Sequence, residues 1–294
     1  MTTSDTQGAA TERSERPPRQ HCIVAGAEPI KLGSMLFTLV EPRRGHEVAY
    51  NRWYERDHFY SGCMIGPYQF AGKRFVATAE LKALRDPDPS AVTGQPATGS
   101  YLALYWVLDG YHDTWNRWAV DQVKALHKAG RMFAERDHIH TLLYRYAWEC
   151  GRDPDGLPAE LALDHPSAGL VAVLSDRAEG VDADEHRAWL RDEHLPSLLP
   201  GTPVRLVVAA DPLPLLIDAP GDVPRTEADD RRQLTLWFLD SPPPEAWAVV
   251  QAHRQALEGG ARGTVVAALP FLPTIPGTDT YTDQLWSDDA GRAS

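Results

Sequence analysis

Apolar and polar positions along the chain form two successive series, and each series predicts the same order of strands and helices. Apolar or alternating runs bounded by Gly, Pro and Asp indicate strands, and apolar residues at helical spacing indicate amphipathic helices. The first series predicts strands at 35–41, 68–79, 101–108 and 139–148 and helices at 46–62 and 113–131. This order is β-α-β-β-α-β, the split βαβ arrangement.

The second series repeats that order. It predicts strands at 170–175, 203–210, 233–240 and 264–271 and helices at 183–199 and 245–258. A loop rich in Pro and Asp, at 211–230, separates the two middle strands, as a polar loop at 86–99 does in the first series. Two such series in succession indicate an internal repeat.

Residue identities support a duplication. Three residues of the first helix recur 136 positions later in the second series. They are Trp53, His58 and Ser61, which correspond to Trp189, His194 and Ser197. In the second helix, the segment 118–122 matches 247–251 at a spacing of 129 positions. The smaller spacing fits shorter connections in the second half, so duplication explains these matches best.

The segment 50–58, with the sequence YNRWYERDH, resembles the dimeric α/β-barrel superfamily, and within it the EthD-like proteins. Members carry a Trp-Tyr-x-x-x-His helix followed by a Gly-Pro or Pro-Gly turn; here the turn is 66–67, and 189–196 resembles the same motif. The resemblance covers about residues 35–150 and 168–286. It implies an α+β fold of two tandem ferredoxin-like repeats packed sheet to sheet as an intramolecular dimeric α/β barrel. Members include polyketide cyclases, isomerases, cofactor-independent monooxygenases and haem-binding enzymes, so the fold alone fixes no reaction.

These patterns divide the chain into two repeats with flanking segments. We expect a disordered tail at 1–30, the first repeat at 31–150, a linker at 151–167, the second repeat at 168–286 and a tail at 287–294. A sheet with helices on one face leaves its other face apolar, and two repeats can cover these faces by packing together. The chain is then an intramolecular pseudo-dimer, although sheet edges or helices could still mediate a homodimer.

Charge and cysteine content restrict the partners and the compartment. The formal net charge of −12 repels phosphate backbones and anionic head groups, so we expect neither nucleic acid nor membrane as a partner. The cysteines Cys22, Cys63 and Cys150 are far apart, and their odd number favours reduced thiols in a cytoplasmic protein. No apolar run reaches the roughly 18 residues that span a bilayer, and the polar N-terminus lacks a signal-peptide core.

Aromatic and histidine residues concentrate in the first half, which we therefore expect to hold the ligand site. Tyr54 and His58 are four residues apart, on one face of the first helix. His58 is a candidate general acid/base, because burial and nearby carboxylates tune the near-neutral pKa of histidine. Tyr54 is a candidate for holding an enolate oxygen. In the alternative interpretation Trp53 packs in the core and His58 fixes the helix end, which the recurrence of both residues favours. Tyr54 distinguishes the catalytic from the structural interpretation better than His58 does, since Leu190 replaces it in the second half.

The strands supply further candidates. His138 and His140, two apart, are expected to share a face of the fourth strand. His140 is a candidate acid/base that lines the barrel, with Tyr144 on its face. Because no third ligand has a recognisable spacing, we predict no metal site. Arg74 is a candidate for binding a carboxylate or enolate, with an exposed edge position as the alternative.

The residues expected to bind substrate are aromatic. They are Trp53, Tyr68, Tyr105, Trp106, Tyr144 and Trp237. The absence of GxGxxG, Walker A, GxSxG and HExxH motifs disfavours nucleotide-binding, P-loop, α/β-hydrolase and zincin chemistry. No organic cofactor is predicted; haem stays open, because one histidine would suffice as its axial ligand.

The leading hypothesis is a cofactor-free enzyme of secondary metabolism or aromatic catabolism that acts on a small, hydrophobic, oxygenated substrate. One imidazole, of His58 or His140, would remove a proton beside a carbonyl in a cyclase, isomerase, dehydratase or lyase reaction. Tyr54 and Arg74 would hold the oxyanion. The first alternative is a cofactor-free or haem-dependent monooxygenase, and the second is a non-catalytic protein that binds a small molecule.

Overall fold

A computed structural model of the chain describes residues 29–216, 221 and 230–287. The expected terminal tails lie almost wholly outside these residues, as do Cys22 and most of the 211–230 loop. Within the described residues, the predicted strands and helices are present in the predicted order.

The first half contains four strands, a long helix whose second part is π-helical, a second long helix and two short helices. The strands are β1 (Leu32–Pro42), β2 (Gln69–Val76), β3 (Tyr101–Leu108) and β4 (Arg136–Gly151). The helices are α1 (Glu47–Trp53), its continuation π1 (Tyr54–Met64), α2 (Ala79–Ala83), α3 (Ser90–Thr93) and α4 (His112–Lys128). The predicted strand at 68–79 ends early because Thr78 caps α2, and the predicted 86–99 loop contains α3.

The second half repeats this plan. Its strands are β5 (Gly169–Arg177), β6 (Val204–Leu213), β7 (Arg232–Leu239) and β8 (Gly263–Pro273). Its helices are α5 (Ala183–Ala188), the π-helical π2 (Trp189–His194), α6 (Leu195–Leu198) and α7 (Pro243–Gly259). None of the helices in the described part of the chain has the length and apolar character to cross a membrane.

The eight strands form one closed antiparallel ring in the order β1-β3-β2-β8-β5-β7-β6-β4. Each half contributes a four-stranded ferredoxin-like sheet, and the two sheets meet edge to edge. β4 pairs with β6 from Leu143 to Gly151, whereas β2 and β8 share only two residue pairs, at Phe75 and Val76. The predicted fold class is confirmed, and strand pairing at the edges joins the repeats as well as packing.

Side chains that point into the ring form the main hydrophobic core. Met35, Phe37 and Leu39 of β1 alternate into it, together with Trp106 of β3 and Tyr144 of β4. β3 is apolar on both faces because the helices of the first half cover its outer face. Burial on two sides accounts for its continuous apolar run.

A β-bulge in β4 separates two histidines that were expected to share a face. The register of β4 with β1 skips Ile139, so the alternation of side chains is reset there. His140 packs inside the ring, 5.7 Å between ring centroids from Phe37, and bonds Tyr144 (Nε2 to hydroxyl oxygen, 3.1 Å). His138 lies on the outer face. The shared-face prediction is therefore wrong.

The segment after β8 returns to the first half and holds its first helix. Asn51 donates its amide N–H to the carbonyl oxygen of Thr278 over 2.9 Å, and Glu55 accepts the backbone N–H of Gly277 over 3.0 Å. The second half thus positions the helix that carries the Trp-Tyr-x-x-x-His motif.

Candidate active site

A cavity of about 120 Å³ lies between the outer face of the first-half sheet and the helices π1 and α4. Small-molecule sites in proteins are concave and mostly apolar, with a few polar groups that orient the ligand. The polar side chains that line it are those of Thr38, Tyr54, His58, Asn116, Arg136, His138 and Thr141. The other described lining residues are apolar, aromatic or small, and none of the described lining residues is Asp, Glu or Lys.

His58, on π1, presents a neutral imidazole to this cavity. Its ring stacks on the indole of Trp53, with 4.6 Å between centroids and 17° between planes. Burial, followed by the positive charge of Arg136, lowers the pKa of His58 to about 3. Its Nδ1 is buried and has no hydrogen-bond partner among the described residues. A buried polar atom without a partner is costly, which makes the imidazole of His58 a candidate contact for a ligand.

Tyr54 lies beside His58 in a buried pair of phenols. Its hydroxyl is 2.8 Å from that of Tyr105, and either oxygen could be the donor. Burial raises the pKa of both phenols well above the usual value, and it raises the pKa of the neighbouring Cys63 thiol to about 12. All three groups are therefore neutral at physiological pH, and the Tyr54 hydroxyl is shared with Tyr105.

The strands β1 and β4 contribute a series of hydrogen-bonded polar side chains to the cavity wall. Arg136, His138 and Thr141 of β4 are hydrogen-bonded in sequence, and Thr141 contacts Thr38 of β1 (Oγ1 to Oγ1, 2.9 Å). Across the cavity, Asn116 of α4 is only 7% exposed, and no hydrogen bond within the described residues uses its side chain. From the sequence, His138 was considered only as a metal ligand. Thr38, Asn116, Arg136 and Thr141 carried no sequence signal, because single residues of these types most often lie on the protein surface.

Two other predicted catalytic residues lie elsewhere. His140 is inside the ring, on the opposite face of the sheet from the cavity. Arg74 is buried under the helix, where its Nη1 donates to Asn51 (2.9 Å) and its guanidinium lies 4.4 Å from the Tyr54 ring centre. Arg74 therefore supports Tyr54 from behind and does not line the cavity beside His58. The alternative of an exposed edge position is wrong as well, since Arg74 is 5% exposed.

The predicted aromatic substrate-binding residues are also dispersed. Trp53 and Tyr105 stand directly behind His58 and Tyr54. Trp106 and Tyr144 belong to the core of the ring, and Trp237 is buried in the second half. The sixth residue, Tyr68, stacks on Tyr111 with 4.1 Å between ring centres, away from the lining of the cavity.

The second half repeats the Trp–His stack, but there the histidine is already hydrogen-bonded to another side chain. Trp189 stacks on His194 with 4.7 Å between centroids and 16° between planes, nearly the same as in the first half. There, however, His194 has a partner, since its Nε2 lies 3.0 Å from Nδ1 of the buried His253. Leu190 replaces the phenol, and Trp237 packs against His253. The stack is therefore a structural feature of the repeat, and the open imidazole is particular to the first half.

The fold itself is shared with solved structures. The chain superposes on an anthrone oxidase-like protein with a TM-score of 0.50 at 10% identity, covering 85% of this chain and 98% of that one. It is also similar to chlorite dismutase from Candidatus Nitrospira defluvii (TM-score 0.44, 11% identity, coverage 86% and 94%) and to a dye-decolorizing protein from V. cholerae (TM-score 0.45, 8% identity, coverage 87% and 97%). What they share is the fold. No family model and no curated protein matches the sequence.

Metal and haem ligation were tested against the histidines of the cavity. Within the described residues, no group of three or more His, Cys, Asp or Glu side chains is arranged to hold a metal ion. An imidazole bound to a metal almost always donates its other N–H to an acceptor. Nδ1 of His58 has no such acceptor among the described residues, and both ring nitrogens of His138 are already in hydrogen bonds. Neither ring, as placed, fits axial ligation of a haem.

Gly62 gives the His58 ring its room. A Cβ at this position would lie 2.6 Å from Cε1 and from Nδ1 of His58. We expect Gly62→Ala to push the ring off Trp53, and the ring-current shift of the His58 Cε1 proton in NMR spectra reports that movement. Gly259→Ala is the matched control, because nothing lies within 4 Å of its added Cβ. An unchanged His58 resonance in Gly62→Ala would show that the ring adapts without moving.

Proposed function

We propose that the chain is an enzyme of the EthD-like type that works without a cofactor as an oxygenase on an apolar, oxygenated aromatic molecule. The observation that carries the proposal is the His58 imidazole: a neutral base that lines an apolar cavity and whose Nδ1 has no hydrogen-bond partner among the described residues. A base of this kind can remove one proton from a C–H or O–H group of a ligand.

The pKa of His58 responds to what the cavity contains. Burial and the charge of Arg136 lower it, and a negative charge that develops on a ligand acts in the opposite direction. The transfer of a proton from ligand to imidazole therefore creates an ion pair, and its attraction offsets part of the cost of charging the buried ring. Arg136, which also lines the cavity, adds positive potential for the anion.

The carbanion or enolate formed in this way is electron-rich and can react with O₂. For a CH₂ group beside a carbonyl or an aromatic ring, the balanced reaction converts CH₂ and O₂ into C=O and H₂O. The substrate supplies all four electrons, one oxygen atom forms the new carbonyl, and the other leaves as water with the two hydrogens. No external reductant is required.

The cavity favours this reaction over a dehydratase or lyase reaction. Those reactions need an acid that protonates a leaving group, and no described lining residue is Asp, Glu or Lys. The Tyr54 hydroxyl is shared with Tyr105 and its pKa is raised by burial. An isomerase or cyclase shares the first proton transfer and stays the alternative. The similar fold of an anthrone oxidase-like protein suggests anthrone as a first compound to test.

We expect purified protein to consume one O₂ per anthrone and to form the quinone faster than the protein-free solution. The measurement is oxygen uptake with product analysis, together with an absorption spectrum. We expect no Soret band. Rearranged product without oxygen uptake would support the isomerase or cyclase reaction, and a Soret band would contradict the cofactor-free proposal. Stabilisation by ligands without any product would indicate a binding protein.

A further inference from the structure

The polar strand residues that line the cavity are connected by a series of hydrogen bonds, and in the bonds of His138 the donor can be identified from the chemistry of the two groups. The series begins at Arg136, whose Nη2 lies 3.3 Å from Nε2 of His138. A guanidinium group can only donate, so Nε2 of His138 accepts, and the neutral imidazole carries its proton on Nδ1. This Nδ1 lies 3.1 Å from Oγ1 of Thr141 and therefore donates to it.

The series of hydrogen bonds ends at two threonines, and one of their two hydroxyl protons has no acceptor among the described residues. Oγ1 of Thr38 lies 2.9 Å from Oγ1 of Thr141, so one hydroxyl donates to the other. Neither hydroxyl has a further acceptor among the described residues, which leaves one hydroxyl proton without a protein partner. Both threonines line the cavity, so a ligand can accept that proton. The cation at the start of the series polarises each successive bond and strengthens the last donor.

We infer that the Thr38–Thr141 pair binds the reacting oxygen of the ligand, and that the ligand is a phenol, an enol or its ketone. The inference rests on the proposed function and adds the residues that hold the oxyanion. When His58 takes a proton from carbon, the electron pair of the C–H bond moves onto the carbonyl oxygen, which accepts the free threonine O–H. When it takes a phenolic proton, the pair of the O–H bond stays on that oxygen. Arg136 and His138 act through the threonines as positioning residues.

The second half shows which substitution the packing tolerates. The outer face of its first strand, β5, carries Val171 and Val173, both fully buried. Valine has nearly the shape of threonine without the hydroxyl. Replacing the two cavity threonines by valine therefore removes the donor and keeps the shape of both side chains.

The test uses 4-nitrophenol, whose neutral and ionised forms absorb differently, with full-length protein. We expect the probe bound to the wild type to ionise at a lower pH than free probe. In Thr38→Val/Thr141→Val, we expect the apparent pKa of bound probe to rise by about one unit, since a hydrogen bond to a charged group is lost. Serine at both positions is expected to restore the wild-type value. Thr235→Val, a buried threonine of the second half, is the matched control and is expected to change nothing.

His138→Phe separates positioning from packing. It is expected to raise the pKa of the bound probe in the wild-type background and to have no effect in the double-valine background, because its route to the ligand is gone. Binding is assigned to the cavity by its loss in Val123→Trp, which fills the space from α4. Bound probe with an unchanged pKa in the double-valine variant overturns this inference and leaves the proposed function standing. Absence of binding in the wild-type cavity overturns both.

Discussion

His58→Gln is expected to lower oxygen uptake by about 100-fold or more, because a positioned general base contributes roughly that much. Glutamine keeps a polar side chain of similar reach but cannot take the proton. The neutral imidazole predicts a pH profile as well. Since the pKa of free His58 is lowered to about 3, activity should not fall through the usual histidine range, near 6.5, while the protein remains folded. The measurement is kcat/KM between pH 5 and pH 8.

His194→Gln is the matched control for that variant. It disrupts the same kind of Trp–His stack, with nearly the same ring distance, on the side where the imidazole already has a partner. We expect its activity to stay within about twofold of the wild type, a change of less than 0.5 kcal/mol in the barrier. Equal losses in both variants would mean that the stack serves folding only. Full activity in His58→Gln would remove His58 as the base.

Lowering the pH from 7 to 4.5 is expected to cost the fold about 5 kcal/mol through His140 and His253 alone. Burial is the main cause that lowers the pKa of His140 to about 4 and of His253 to about 3. Below pH 6.5 the unfolded chain binds protons at these positions that the folded chain does not bind. Stability therefore falls as the pH falls, until the folded-state pKa values are reached. Each histidine contributes about 2.5 kcal/mol at pH 4.5, and a domain has about 5–15 kcal/mol in total.

Urea unfolding at both pH values measures this loss. In the variant His140→Phe/His253→Phe, the difference between the free energies of unfolding at pH 7 and pH 4.5 should shrink by about 5 kcal/mol. The absolute stability at pH 7 can fall, because Tyr144 and His194 lose hydrogen-bond partners. The pH-dependent difference is the diagnostic quantity. An unchanged difference would show that these two sites do not control acid sensitivity.

The fold could be predicted from the sequence because the apolar patterns that indicate its strands and helices are periodic and occur twice. β3 begins and ends where its apolar run does. The equal spacing of the Trp–His pairs predicted that two helices are equivalent. The nearly identical Trp–His stacks confirm this equivalence. Such signals depend on local pattern and on duplication, both of which a single sequence contains.

The candidate site was harder to predict from the sequence, because it depends on which face of the sheet each strand residue occupies. One extra residue at the bulge moved His140 into the ring and left His138 outside, and no local pattern announces a bulge. Arg74 was expected in the cavity, yet aromatic rings and Asn51 hold it behind Tyr54. Tyr54 and His58 line the same cavity, as expected from their spacing on one continuous helix. The threonines of the cavity wall become notable only once the strands β1 and β4 are paired.

The single chain also bears on how the two repeats could diverge. In an assembly of two identical subunits, any substitution appears twice, so a change that fills one pocket fills the other. Here the two copies are encoded separately. One copy has Leu190 and a His194–His253 contact that occupies the imidazole, whereas the other has Tyr54 and a His58 Nδ1 without a hydrogen-bond partner among the described residues. Gene fusion thereby allows one repeat to specialise as scaffold, and the same freedom allows chemistry to evolve in the remaining pocket without loss of the barrel.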